Sequence, residues 1–334
     1  MKRILPRFFA ALMILALAAG CQVTGVPPAS AVISPQNAAQ LVSARQAQVG
    51  AFFDLVWSTD SATLLLLQGG EAARIDAKTL NVTDRLSFES PVMLVSAAPD
   101  GKTLVYSLDG STLQVKDISS TQPAQVIDPG IPINNIDFSE DGHWLLVTSM
   151  DVIEARLWDT ASRSEVKTLS GFDTAAPVYN VMFGGDNAHI LWISRGTVQL
   201  MAIDSGQLGM QANHEDFVMD AQLSSDGKLL ATSAYGIVRE EFTPVLAIWD
   251  AASGETLGLL TDSESFTRLS FSPDSRLIAA ANGGRVTIWD TANPQLLAEY
   301  QSGADFIDTL AFSPDGSMLA IALSDGTLAI WQVK

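Results

Sequence analysis

Cysteine, histidine and basic residues are scarce in this sequence of 334 residues. It contains one cysteine, Cys21, and three histidines, and its 37 acidic residues outnumber its 19 basic ones. A single thiol excludes a disulfide within the chain and a thiol-based zinc site, and three histidines are too few for most multi-histidine metal centres. We therefore expect no bound metal.

The excess of acid also limits the class of partner. The formal charge is −18; residues 1–20 hold three basic and no acidic residues, so the remainder carries 16 − 37 = −21. Nucleic acids need basic, phosphate-contacting patches, so we expect no nucleic-acid partner. Adhesion to anionic lipid by charge alone is disfavoured as well. Two explanations of the acidity stay open: solubility, and an acidic surface for a cationic partner.

Catalytic sequence motifs are missing too. The chain has no Gly-x-Ser-x-Gly elbow, no phosphate-binding loop, no Gly-x-Gly-x-x-Gly run and no EF-hand pattern. We therefore expect no cofactor and no enzymatic activity.

Residues 1–20 have the pattern of a targeting segment. Three basic residues begin it, and the apolar stretch from Phe8 to Ala19 is too short to span a bilayer as a helix. The sequence Leu-Ala-Ala-Gly-Cys at 17–21 resembles a bacterial lipoprotein signal, although Ala18 stands where that family prefers Leu. The resemblance implies lipidation of Cys21 and export, with anchoring to the outer face of a bacterial membrane or to the periplasmic side of the cell envelope. An ordinary secretory signal, cleaved at a nearby small residue, is the alternative.

Residues 21–34 have a different character. Pro27 and Pro28 interrupt scattered Gly, Ala and Ser residues, without apolar periodicity. We interpret this segment as a tether between the anchor and a folded body.

The rest of the chain is a repeat of alternating apolar runs and tight turns. One turn aspartate recurs at intervals of 40 to 48 residues, which is the period of a four-stranded propeller blade. The seven positions are Asp60, Asp100, Asp141, Asp186, Asp226, Asp274 and Asp315. The residues three and five positions before each aspartate are mostly apolar, and they share one face of a strand. We assign this face to the core between blades and the aspartates to turn formation.

A second marker ends the third strand in four of the seven repeats. Trp-Asp occurs at 158–159, 249–250 and 289–290, and Trp331-Gln332 is a near form. With these markers residues 36–334 resemble the WD40 repeat family, whose fold is a β-propeller. The Gly-His pair of that family is mostly missing; only His214 falls at its spacing. The resemblance therefore implies a buried network of His214, Thr232 or Ser233, and Trp249 in the fifth blade alone.

The two ends of the repeat region complement each other. Residues 41–45 lie at the position of a fourth strand, 19 residues before Asp60 for Leu41, whereas the chain stops just after a third strand. Pairing these strands removes two exposed sheet edges. We therefore predict an all-β, seven-bladed WD40-like β-propeller whose last blade is closed by an N-terminal strand.

The candidate interaction surface lies at the mouth of the central channel. Seven residues before each turn aspartate, four of seven positions are aromatic or Met: Phe53, Met93, Tyr179 and Met219. A surplus segment in the fifth blade, 234–244, predicts a long loop that adds Tyr235 and Phe242. These six side chains are either packing over neighbouring blades or anchors for a partner.

The preferred function is a lipid-anchored scaffold that binds an unidentified protein partner without catalysis, and we expect a monomer. The alternative is a propeller enzyme or small-ligand binder that uses the central channel. The residues available for that alternative are Asn134, Asp308, Arg239 and Glu240.

Overall fold

The structure is a computed structural model that describes residues 31–170, 178–214, 217–238, 241–261 and 266–334. Within these ranges, 28 strands form seven antiparallel sheets of four strands each. A short 3₁₀ turn, Ala38–Gln40, precedes the first strand. No helix among the described residues is long and apolar enough to cross a membrane. Cys21 and the predicted signal segment lie outside the described residues.

Strand β1 (Leu41–Gln48) belongs to the last sheet, and the remaining strands follow in chain order. Blade 1 consists of β2 (Asp54–Trp57), β3 (Thr63–Leu67), β4 (Glu71–Asp76) and β5 (Val82–Ser87), and blade 2 of β6 (Leu94–Ala97), β7 (Thr103–Ser107), β8 (Leu113–Asp117) and β9 (Gln125–Ile127). Blade 3 consists of β10 (Asn135–Phe138), β11 (Trp144–Ser149), β12 (Glu154–Asp159) and β13 (Ser164–Leu169). Blade 4 consists of β14 (Val178–Phe183), β15 (His189–Ser194), β16 (Thr197–Ala202) and β17 (Leu208–Asn213).

Blade 5 consists of β18 (Val218–Leu223), β19 (Leu229–Val238), β20 (Glu241–Asp250) and β21 (Thr256–Thr261). Blade 6 consists of β22 (Arg268–Phe271), β23 (Leu277–Asn282), β24 (Arg285–Asp290) and β25 (Gln295–Gln301). Blade 7 combines β26 (Ile307–Phe312), β27 (Leu319–Leu323) and β28 (Thr327–Val333) with β1.

Blade 7 joins the two ends of the described chain. β1 pairs antiparallel with β28, from Leu41 opposite Val333 to Gln48 opposite Thr327. The predicted fourth strand is thus confirmed, and it extends three residues beyond Arg45. Blade 7 contacts blade 1 through β26 and β2, and each other blade contacts its successor, so the seven blades form a closed ring. The predicted fold class is confirmed.

The core lies between the blades. In every blade the residues three and five positions before the turn aspartate pack on the preceding blade: Leu55 and Trp57 of blade 1, for example, contact the cluster that contains Ala320 and Ile330 of blade 7. The same arrangement recurs at each of the other interfaces. Alternate residues of a strand point to opposite faces, which explains why this spacing of two identified the core.

The turn aspartates form turns as predicted. In blade 3, Asp141 Oδ1 accepts hydrogen bonds from Ser139 Oγ at 2.6 Å and from the His143 backbone N–H at 2.9 Å. The residue after each of the seven aspartates has a positive φ, between 57° and 73°. Glycine provides this conformation without steric cost in four blades, and Ser61, Asn187 and Ser275 adopt it in the others.

Blade 5 differs from the prediction of a long loop. The surplus residues continue β19 and β20 as an extended hairpin, paired as far as Val238 opposite Glu241. The segment is rich in β-branched and aromatic residues, which favour strands, so pairing satisfies backbone groups that a loop would leave open.

Candidate functional site

The candidate interaction positions at the mouth of the central channel, which form its rim, lie where the chain enters each innermost strand. The backbone N–H groups of Phe53 and Met93 donate to the carbonyls of Leu67 and Ser107, at 3.1 and 2.9 Å. Those carbonyls end the second strands, so the rim lies on the face that carries the turns between second and third strands. The side chains of Phe53 and Met93 are 48% and 64% exposed. The backbone is therefore held regularly at both positions, and both apolar side chains are exposed to solvent.

Tyr179 forms the centre of a second rim group, on blades 4 and 5. Its ring stacks on Phe217 with centroids 4.8 Å apart and planes 9° from parallel. The Tyr179 hydroxyl donates to the Val218 carbonyl, and burial raises the pKa of Tyr179 to about 12, so the hydroxyl stays protonated. Both rings remain about 40% exposed. The pair is therefore a fixed aromatic surface.

The remaining predicted anchors are Met219, Tyr235 and Phe242. Met219 and Tyr235 are half-buried, and the Tyr235 backbone N–H donates to the Phe217 carbonyl at 3.1 Å, which places Tyr235 beside the stacked pair. Phe242 pairs through its backbone with Ile237, and its side chain lies outside the described residues. Tyr179, Met219 and Tyr235 are thus brought together, whereas Phe53 and Met93 form a separate group on blades 1 and 2.

Two exposed aromatic residues of this face were missed by the sequence analysis. Phe217 and Phe306 each lie nine residues before a turn aspartate, and both are highly exposed. This position is two residues before the predicted rim position, so a search at both spacings would have found them. We define the rim as Phe53, Met93, Tyr179, Phe217, Met219, Tyr235 and Phe306.

Below the rim, the central channel contains a cavity of about 330 Å³ between blades 1 to 4. Asp54 and Asp137 line it. Asp54 is open to the channel, yet the protein atoms around it desolvate its carboxyl and raise its pKa to about 6. Burial raises the pKa of Asp137 to about 7, and the neighbouring Asp54 adds to the shift. Each of these pKa values lies above the usual range of an aspartate.

The contacts of the channel carboxylates are structural. Asp137 Oδ2 accepts from the Phe183 backbone N–H of the next blade at 2.8 Å, and Asp220 Oδ2 accepts from that of Leu269 at 2.7 Å. An innermost strand has a free edge whose N–H groups need acceptors. These side chains provide them, and they join adjacent blades near the axis.

The residues available for channel chemistry do not converge. Asn134 Oδ1 accepts from the Met150 backbone N–H at 2.6 Å and is engaged in its own blade. Burial raises the pKa of Asp308, while Arg268 opposes the shift. Arg239 and Glu240 lie outside the described residues. Among the residues that are described, no group of three or more His, Cys, Asp or Glu side chains is arranged to hold a metal ion.

The network predicted for blade 5 is reduced to one bond. Trp249 Nε1 donates to Thr232 Oγ1 at 2.8 Å, but Ser233 Oγ donates to the Phe266 carbonyl instead. The His214 ring lies edge-on to Trp249, 5.4 Å between centroids, and its Nε2 has no hydrogen-bond partner among the described residues. Burial lowers the pKa of His214 to about 4, so the ring is neutral at pH 7.

Comparison with known proteins identifies the repeat. The family model described as WD domain, G-beta repeat, matches residues 254–290 and 295–332. The chain is 22% identical over 250 residues to actin-interacting protein 1 of Drosophila melanogaster, covering 73% of this chain and 40% of that protein. It is 22% identical over 285 residues to the nuclear distribution protein nudF of Aspergillus niger, covering 76% and 62%. The matched region spans less than two thirds of each relative.

Solved structures show the same architecture. The β-propeller domain of Myceliophteria thermophila Cps50 (Swd1) has a TM-score of 0.69 and 14% identity, covering 88% of this chain and 100% of that one. Kuenenia stuttgartiensis hydrazine synthase also has a TM-score of 0.69, with 17% identity, covering 87% and 98%. At this identity the likeness concerns the fold alone. With the repeat match and the closed ring of blades, this chain is a seven-bladed WD40-like β-propeller, closed in its last blade by an N-terminal strand.

Proposed function

We propose that this protein is a lipid-anchored, extracytoplasmic scaffold that binds a protein partner through the rim. The observation that carries the proposal is the set of exposed aromatic and Met side chains on one face of the ring. Aromatic residues are enriched among the side chains that dominate protein interfaces. One of the similar proteins is named for its interaction with actin, in line with a binding role.

The rim suits binding because its aromatic groups are held in place before a partner arrives. Tyr179 is fixed by its hydroxyl bond to Val218 and by the stack on Phe217. At Phe53 and Met93 the backbone is fixed by hydrogen bonds to the second strands of their blades. Side chains that are already ordered lose little conformational freedom on association.

The end of the proposed tether contacts blade 7. The Ile33 backbone N–H donates to the Gly316 carbonyl at 2.8 Å, and Gly316 belongs to the turn between the first and second strands of blade 7. That turn lies on the face opposite the rim. In this proposal the tether from a lipidated Cys21 joins the propeller at Ile33, on the face opposite the rim.

The rim is tested with two matched sets of substitutions in the full-length chain. The rim variant combines Phe53→Ser, Met93→Ser, Phe217→Ser and Phe306→Ser. The control variant changes exposed apolar residues of the outermost strands: Val126→Ser, Val166→Ser, Leu257→Ser and Leu259→Ser. We expect crosslinking and mass spectrometry of solubilised membranes to recover a stoichiometric protein partner with the wild type and the control, but not with the rim variant. Recovery of the propeller alone, or a partner retained by the rim variant, contradicts the proposal.

The anchor is tested separately. Cys21→Ser removes the thiol that lipidation requires, so we expect the variant to move from the membrane fraction to the soluble fraction with an unchanged melting temperature. Retention of the variant in membranes refutes lipid anchoring while leaving the rim proposal intact.

A further inference from the structure

A cavity of about 290 Å³ lies between blades 2 and 3, away from the rim and from the central channel. The turns that follow the first and third strands line its mouth, through Asp100, Asp141, Thr160 and Arg163. It therefore opens on the face opposite the rim. The rim proposal makes no use of this site.

Two features of blade 2 leave little side-chain bulk at its interface with blade 3, beside the cavity. Thr103 stands where blades 3 and 6 have Trp144 and Leu277, as the pairing with Asp117, Asp159 and Asp290 shows. The outermost strand β9 of this blade is also short, with three residues. Both features remove atoms that would otherwise fill the interface with blade 3.

The wall of the cavity is apolar. Its lining includes Val105, Leu113, Leu145, Phe138 and Ile127, of which the first three are buried. Apolar cavities of about 150 Å³ bind benzene in other proteins. This cavity therefore has space for one aromatic ring with substituents.

Trp158 adds a hydrogen-bond donor to the lining. Its Nε1 is shielded from solvent and has no hydrogen-bond partner among the described residues. In blades 5 and 6 the corresponding indole N–H donates to Thr232 or Thr287. Val147 and Arg156 occupy these two positions in blade 3, and neither provides an acceptor. A buried donor without a partner costs free energy, which an acceptor on a ligand would recover.

The mouth of the cavity is acidic. Three carboxylates, Asp100, Asp141 and Asp159, line it against the single guanidinium of Arg163. Hydrogen bonds from the backbone N–H and the hydroxyl of Ser162 hold the pKa of Asp159 below its usual range. A positive charge on a ligand is favoured at such a mouth.

We propose that this cavity binds a small amphipathic amine: one aromatic ring, a carbonyl-type acceptor for Trp158 and a cationic group at the acidic mouth. The apolar lining takes the ring, the unpartnered indole N–H takes the acceptor, and the carboxylates take the charge. The acceptor and the charge are each tested by leaving that feature out of a probe molecule, and the apolar space is tested by filling it.

The probe is 4-acetylbenzylamine, compared with benzylamine, which lacks the acceptor, and with 4-methylacetophenone, which lacks the charge. Binding to the full-length chain labelled with 5-fluorotryptophan is followed by ¹⁹F NMR, and Trp158→Phe assigns the Trp158 resonance. We expect a saturable shift of that resonance, with 4-acetylbenzylamine binding about tenfold tighter than benzylamine, the factor expected for one recovered hydrogen bond. 4-Methylacetophenone should bind more weakly and lose less affinity at high salt.

Two variants decide whether the site is the cavity. Thr103→Trp fills it with the residue that blade 3 carries at the same position, and it should abolish the shift while leaving the fold intact by circular dichroism. Trp158→Phe keeps an aromatic ring but not the donor, so by calorimetry the two amines should bind it equally. An unshifted Trp158 resonance at millimolar probe, an equal shift in Thr103→Trp, or an acetyl advantage that persists in Trp158→Phe would each overturn the proposal.

Discussion

The closure of blade 7 by β1 predicts a large effect from one side chain at its start. Leu41 is 3% exposed and packs in the cluster that contains Leu310 and Trp331, while the next residue, Val42, is 42% exposed. Replacing a buried Leu with Ala costs about 2–5 kcal/mol, depending on how far the site collapses. Exposed positions usually change stability by less than about 0.5 kcal/mol. We therefore expect Leu41→Ala to lower the free energy of unfolding by about 3 kcal/mol and Val42→Ala to leave it almost unchanged.

Two measurements check this prediction. Urea denaturation gives the free energy of unfolding of both variants. Amide hydrogen exchange of Thr327–Val333 reports whether β1 still covers β28. Leu41→Ala should also speed exchange in β28, since detachment of β1 is local before it is global. Equal stability of the two variants, or unchanged protection of β28, would refute the closure of the ring by β1.

Two more predictions concern stability: one the hydrogen bonds of the Tyr300 hydroxyl to the start of β1, the other the pH dependence that the channel carboxylates cause. Tyr300→Phe removes a hydroxyl that accepts from the Leu41 N–H at 3.2 Å and donates to the Ala38 carbonyl at 2.6 Å, so we expect urea denaturation to show a loss of about 1–2 kcal/mol. For pH, the folded-state pKa values of Asp137 and Asp220, about 7 and about 6, exceed the unfolded value, so the folded state binds more protons and its stability rises as pH falls from about 7 towards 4. Below about pH 4 stability should fall, because the turn aspartates with lowered pKa values become protonated. A melting temperature that rises steadily from pH 4 to pH 7 contradicts this assignment.

The ring itself was predictable because its markers are local. Each turn needs a residue with positive φ beside an aspartate that accepts from its own turn, and this requirement repeats at every blade. The alternation of buried residues before the turn then fixes the core face of each innermost strand. The position of the N-terminal strand followed from the same period, because Leu41 precedes Asp60 by the spacing that separates Leu296 from Asp315.

Features that depend on contacts between blades were not predictable in this way. The hairpin of blade 5 has the composition of a strand, but its length alone indicated an insertion and not whether the inserted residues pair. The stack of Tyr179 on Phe217 joins two blades across segments without a shared spacing. The cavity beside Trp158 lies at a small residue of blade 2, and its unpartnered indole N–H comes from a missing acceptor in blade 3, a combination that no single repeat reveals.

The pairing of β1 with β28 also sets the order in which the chain can assemble. Gln48 and Thr327, which are hydrogen-bonded through their side chains, are 279 residues apart. Until Thr327–Val333 have been synthesised, Leu41–Gln48 lacks its partner strand, and the incomplete stack keeps open edges at both ends. The ring therefore closes only after Thr327–Val333 have been synthesised, which makes closure of blade 7 a late step in folding.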